Sequence, residues 1–114
     1  MATIVNELSY ADAPVKIRED LAGAHARAWR RLAEPGVWLD GKTRVAIAAE
    51  TRNAASCKLC AERKDALSPY NVPGAHDSLG GLPDGTVEAI HRIATDPGRL
   101  MQSWVQGLLD GGMS

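Results

Sequence analysis

Along this chain apolar residues recur at steps of three and four, and no segment carries a convincing strand pattern. Proline and glycine cut that helical period into pieces of one helix each. Pro14, preceded by Asp12 and Ala13, suits a first helical turn. Ile17, Leu21, Ala24, Ala28 and Leu32 then form one stripe, which Pro35-Gly36 ends. A second helix follows Asp40 and runs to Ala55 on Val45, Ala48, Ala49, Arg52 and Ala55. Ser56 reads as the N-cap of a third helix patterned over Leu59 to Leu67. Ser68 to Pro83, with Pro69, Pro73, Gly74, Gly80 and Gly81, reads as a long loop of the kind found in lids and binding segments. A fourth helix is predicted over Asp84 to Thr95, with Val87, Ile90, Ile93 and Ala94 turned inward. Asp96-Pro97 reads as the N-cap and first position of a fifth, whose stripe is Leu100, Met101, Trp104 and Leu108, with Gly111-Gly112 as its stop. Trp29 and Trp38 are expected to pack rather than to bind. The predicted class is all-α, about five helices, in one domain over residues 1–114.

A length of 114 residues suits a single core that buries about 60–70% of the unfolded surface. A formal charge of −1 argues against nucleic acid or an anionic membrane as the main partner. No run approaches the ~18 apolar residues of a spanning helix. Met1 to Glu7 lacks the basic start and apolar stretch of a signal peptide, so the cytoplasm is the expected location. Ser114 closes the chain straight after a glycine stop, where an N-cap would have nothing to cap. A C-terminally truncated fragment and a naturally short tail both fit.

Cys57-Lys58-Leu59-Cys60 is the one arrangement here that implies chemistry by itself. Two thiols three positions apart close a small disulfide or supply half of a metal site, and in an unexported chain they are more often reactive than stapling. Their place at a helix start favours thiolate over thiol, and Lys58, Arg63 and Lys64 add positive charge. Several effects must combine. Bringing a thiol from about 8.5 to about 7 takes roughly 2 kcal/mol of preference for the anion, and a helix terminus gives only about 0.3–1 kcal/mol.

Helix, CxxC at the start of the next helix, and all-α surroundings resemble the alkyl hydroperoxidase D and carboxymuconolactone decarboxylase superfamily. Gly41 to Glu50 on through Cys57 and Cys60 resembles the heart of that domain. Val87 to Leu100 resembles an alkylhydroperoxidase-related branch. The resemblance spans roughly residues 20 to 114. It implies an antioxidant peroxidase or thiol–disulfide oxidoreductase, in which Cys60 attacks the peroxide and Cys57 resolves the sulfenic acid to a disulfide. It also implies a hydroperoxide or disulfide substrate, a dithiol reductant protein, a homo-oligomer and no cofactor. Two relay positions depart from the family pattern: the usual histidine is Lys64, and the usual glutamate is Val45.

Other residues are therefore candidates for the proton relay. Glu50 stands two turns before Cys57, and a solvated position is its bland alternative. Lys64 lies one turn after Cys60, where a cation holds a thiolate by charge but supplies no base. His91, between Ile90 and Ile93, is either packed or a base. His76 sits in the long loop beside Asp77, which is placed to orient its ring, and His25 is expected to be structural or exposed. The catalytic set is then Cys57, Cys60, Lys64, Glu50 and His91. Two alternatives stay open: a non-catalytic helical assembly domain, and a metal-binding module of Cys57, Cys60, His76 and His91. The spacing of the two histidines does not match the close pairs usual in structural zinc sites. A lactone decarboxylase is the weaker reading, since that chemistry does not usually depend on CxxC.

Overall fold

The structure, a computed structural model, describes residues 9–113. Among these residues there are five helices and no strand, as the period predicts: α1 (Glu19–Leu32), α2 (Gly41–Asn53), α3 (Lys58–Asp65), α4 (Asp84–Thr95) and α5 (Gln102–Asp110). Single 3₁₀ turns lie at Ala54–Ser56, Pro69–Asn71 and Pro97–Arg99. No helix among the described residues is long and apolar enough to cross a membrane. The features weighed at Met1 to Glu7 and at Ser114 lie outside the described residues. The chain, expected as one domain, divides into two compact units, Met1–Val45 and Ala46–Ser114.

In the first unit, α1 starts at Glu19, five residues later than Pro14 suggested. Tyr10 to Ala13 form a turn instead, closed by the Ala13 N–H on the Tyr10 carbonyl. Glu19 and Asp20 then open the helix and Arg30 and Arg31 end it, both signs matching the helix dipole. The stripe is not buried: no residue of α1 is fully covered, and Leu21 is exposed. Trp38, expected to pack, is 92% exposed. Asp40 starts α2 as expected, its Oδ1 accepting the Thr43 N–H at 2.7 Å. Gly41 is required there, because a Cβ would fall 1.8 Å from the Ala33 carbonyl oxygen.

In the second unit, α2 tightens into the 3₁₀ turn at Ala54–Ser56 before the chain enters α3. This displaces the expected cap. Ser56 ends the turn and donates to the Asn53 carbonyl, so the N-cap of α3 is Cys57. Helix α4 has the predicted bounds but a different inner face. Val87, His91 and Arg92 are buried, while Ile93 and Ala94 are exposed. It packs on α3 and on the Ala54–Ser56 turn. Asp96-Pro97 opens a 3₁₀ turn rather than α5, and Arg99 from that turn donates to the carbonyls of Arg63, Lys64 and Ala66. One guanidinium thus gathers carbonyls at and just past the C-terminal end of α3. In α5, Trp104 and Leu108 are half-buried and Met101, just before the helix, is exposed.

The interior of this unit is small and unusually polar. Ala54, Cys57, Leu59, Cys60, Pro69 and Val87 are buried apolar residues of this unit, and Glu50, His91 and Arg92 are buried as well. A buried polar group costs about 1–3 kcal/mol unless it is hydrogen-bonded, so the partners of Glu50 and His91 decide whether this interior is stable.

Candidate active site

The two cysteines are brought together by α3, Cys57 as its N-cap and Cys60 in its first turn, and both are free thiols. Val72 packs over Cys57, Leu59 and Cys60 and begins the segment that brings the loop back to them. Gly74 makes that approach possible: a Cβ would lie 2.9 Å from Leu59 Cδ1. Two residues later, His76 reaches the thiols. Asp77 does not orient its ring. The Asp77 carboxylate instead accepts the Lys58 N–H at 2.9 Å, capping α3 from the loop, and its own N–H donates to Cys57 Sγ at 3.4 Å.

Both histidines turn Nδ1 toward sulfur and Nε2 toward a carboxylate. His91 Nδ1 is 3.2 Å from Cys60 Sγ, and its Nε2–H donates to Glu50 Oε2 at 2.9 Å. His76 Nδ1 is 3.5 Å from Cys60 Sγ and 3.6 Å from Cys57 Sγ, and its Nε2–H donates to Glu88 Oε1 at 2.6 Å. The rings lie 4.3 Å apart. Each carboxylate is held in turn. Glu50 accepts from Asn53 Nδ2 at 2.8 Å and from the Leu79 N–H at 3.0 Å. Glu88 accepts from Arg63 Nη1 at 2.9 Å and from Trp104 Nε1 at 2.8 Å. Asn53 also donates to the Asp77 carbonyl, tying the loop to α2.

These contacts set the charges. Burial opposes ionisation of Glu50, but donors from His91, Asn53 and Leu79 outweigh it and hold the carboxyl below its ordinary value. The His76 hydrogen bond brings Glu88 down to about 2, against the cost of burial and with help from Trp104 and Arg63. Glu88 correspondingly raises His76. The sulfurs separate. Burial alone would raise Cys57, yet the Cys60 N–H, His76 and the Asp77 N–H bring it down to about 6. Burial pushes Cys60 up to about 11, with the neighbouring Cys57 adding to the shift. A sulfur brought that far down is mostly thiolate at neutral pH.

Of the residues expected from sequence, Cys57, Cys60, Glu50 and His91 converge, and Glu50 is buried rather than solvated. Lys64 is exposed at the edge of a cavity of about 320 Å³ that also touches both cysteines. The cation whose charge acts on Cys60 is Arg63. His76, left out of the expected catalytic set, belongs to the cluster. Asn53, Glu88 and Trp104 were not anticipated; their only sequence signal was polar side chains at helical steps from the inner faces. No protein-family model, curated protein or solved structure matches this chain.

Proposed function

We propose that the chain is a dithiol oxidoreductase of antioxidant type, cycling Cys57 and Cys60 between two thiols and a disulfide while it reduces a hydroperoxide or a substrate disulfide. The observation that carries this reading is the convergence of two carboxylate–imidazole chains, Glu50–His91 and Glu88–His76, on two adjacent sulfurs. A base whose far side is anchored by a carboxylate keeps one tautomer and one orientation toward the sulfur. The resemblance to alkyl hydroperoxidase D proteins fits this reading. In place of the family's glutamate and histidine positions, Glu50 and His91 supply the relay.

The proposed order of the cysteines is the reverse of the one that the resemblance implies. Cys57, held as an anion by N–H donors and His76, attacks. Cys60, which keeps its proton beside His91, resolves. With a hydroperoxide, the Cys57 thiolate attacks the outer oxygen; the S–O bond forms and the O–O bond breaks. The departing alkoxide takes the proton that Cys57 had given to His76. Cys60 then gives its proton to His91 as its sulfur attacks Cys57. The S–S bond forms, the S–O bond breaks, and the hydroxide leaves as water with the proton from His91. With a substrate disulfide, Cys57 forms a mixed disulfide as the S–S bond of the substrate breaks and one thiolate leaves; Cys60 then attacks Cys57 and the second thiolate leaves, each taking a proton from the histidines. An external dithiol protein reduces the closed disulfide by exchange, a step suited to the reducing cytoplasm. The cavity beside the sulfurs, lined by Ala54, Ala61, Ala94 and Thr95, gives a small oxidant access.

Mass spectrometry with a sulfenic-acid trap tests both the chemistry and the order. Wild type treated with one equivalent of peroxide should lose two hydrogens and regain them with dithiothreitol. Cys60→Ser should carry the trapped adduct on Cys57, and Cys57→Ser should carry little on Cys60. An unchanged wild-type mass under excess peroxide and excess oxidised glutathione would sink the reading. An adduct on Cys60 alone would reverse the roles.

A further inference from the structure

Cys57 Sγ, Cys60 Sγ and one ring nitrogen each of His76 and His91 lie within 4.8 Å of one another. Three of the separations are close to those of a coordination shell. With metal–sulfur bonds of about 2.3 Å and metal–nitrogen bonds of about 2.0–2.1 Å, adjacent S and N ligands of a tetrahedral zinc ion stand about 3.6 Å apart. Three of the four S···N separations are 3.2, 3.5 and 3.6 Å, and the fourth, Cys57 to His91, falls within the 4.8 Å that spans the whole set. We infer that the reduced protein binds one divalent cation of the zinc class in a closed Cys57–Cys60–His76–His91 site.

Three further observations support this assignment. First, each imidazole gives its Nε2–H to a carboxylate, Glu50 or Glu88, so that once the metal displaces the protons shared with Cys57 and Cys60, both Nδ1 lone pairs face the ion. Ligating histidines in metal sites almost always carry such a partner. Second, those carboxylates are themselves fixed, Glu50 by Asn53 and the Leu79 N–H, Glu88 by Arg63 and Trp104, so the ligands are preorganised. Third, Cys57, Cys60 and His91 are buried and the His76 side chain is only 9% exposed. Four protein ligands fill a tetrahedral shell, which describes a site that holds a metal, not one that activates water on it. Two thiolates balance the charge of a divalent ion, and a tetrahedral S₂N₂ set selects zinc over magnesium or calcium. The spacing that argued against zinc in the sequence has no bearing here, because His76 arrives on a loop and His91 on α4.

Metal binding rests on these four ligand atoms and not on the redox cycle, but the two exclude each other in any one molecule. A disulfide leaves neither sulfur able to bind as a thiolate. Two thiolates, one hydrogen peroxide and two protons become one disulfide and two waters, and the cation is released.

The test uses the full-length reduced protein, stripped with a chelator and then loaded with zinc chloride or cobalt chloride. One metal per chain after gel filtration is expected, with cobalt giving the visible spectrum of tetrahedral S₂N₂ coordination. His76→Asn and His91→Asn, confirmed as folded by circular dichroism, should each weaken zinc at least 100-fold in competition with a chromophoric chelator. Glu88→Gln, which keeps all four ligands, should weaken it by about 10–100-fold. Folded, reduced wild type that stays metal-free with excess zinc would overturn the inference, as would zinc affinity unchanged in both histidine variants. Peroxide added to the stripped protein reports disulfide formation separately, so loss of one result leaves the other standing.

Discussion

His91 and Glu50, 41 positions apart in the chain, meet in a 2.9 Å hydrogen bond that solvent does not reach. Replacing Glu50 with glutamine keeps an acceptor for Nε2–H but removes the charge that supports an imidazolium. Closure of the Cys57–Cys60 disulfide should slow by about 10²–10⁴-fold, the usual worth of general acid–base assistance. Alkylation of Cys57, which His91 does not govern, should keep its rate. Stopped-flow measurement of both steps checks this, and equal slowing of the two would point to a lost fold instead.

Glu88 and His76 make stability depend on pH from two sides. Glu88 drops from 4.5 to about 2 on folding, so its contribution is present above about 4.5 and is lost as pH falls toward 2. His76 is raised above 6.5, so its contribution is full below that value and fades as pH rises through the higher folded value. In the metal-free dithiol, the melting-temperature gap between wild type and Glu88→Gln should therefore be widest between about pH 4.5 and 6.5. A gap that is flat from pH 3 to 9 would show that the pair contributes no linkage.

Arg63 and Lys64 are neighbours with different duties. Arg63 lowers Cys60 by its charge and donates to Glu88, whereas Lys64 is exposed at the cavity edge. Arg63→Met should move the second thiol ionisation above its wild-type value of about 11 and destabilise the fold. Lys64→Met should leave that ionisation where it is. Thiolate ultraviolet absorbance against pH reads both, and a rise in the lysine variant would return the role to Lys64.

Helix α5 and the residue before it present Met101, Val105 and Leu109 at four-residue steps, all of them exposed. Such a stripe is the face a second copy would cover. Light scattering should give a dimer or larger species, and Val105→Lys with Leu109→Lys should shift it to smaller mass. Monomeric wild type at high concentration would remove this expectation.

Much of the architecture was legible because helical period is a local property. The bounds of α4 and the start of α2 after Asp40 followed from neighbouring residues alone. Errors came where one local preference overrode another. Ser56 is a good N-cap residue, but the 3₁₀ turn takes it first. Asp96-Pro97 is a good helix start, yet it opens a 3₁₀ turn. The site was half legible. The cysteines announce themselves by spacing, whereas His76 depends on a loop that returns because Gly74 can approach Leu59 and Asn53 can hold the Asp77 carbonyl. Glu88 was hidden for a related reason: its partners come from three separate segments, at Arg63, His76 and Trp104.

Glu50, Cys57, Cys60 and His91 are also much of what the second unit buries. In most enzymes a scaffold survives the loss of its reacting groups, and dead variants accumulate as folded protein. Here the candidate site and the interior are made of the same atoms. Damage to the site should therefore register in a cell first as falling abundance, through chaperone and protease triage, and only then as loss of the proposed thiol chemistry.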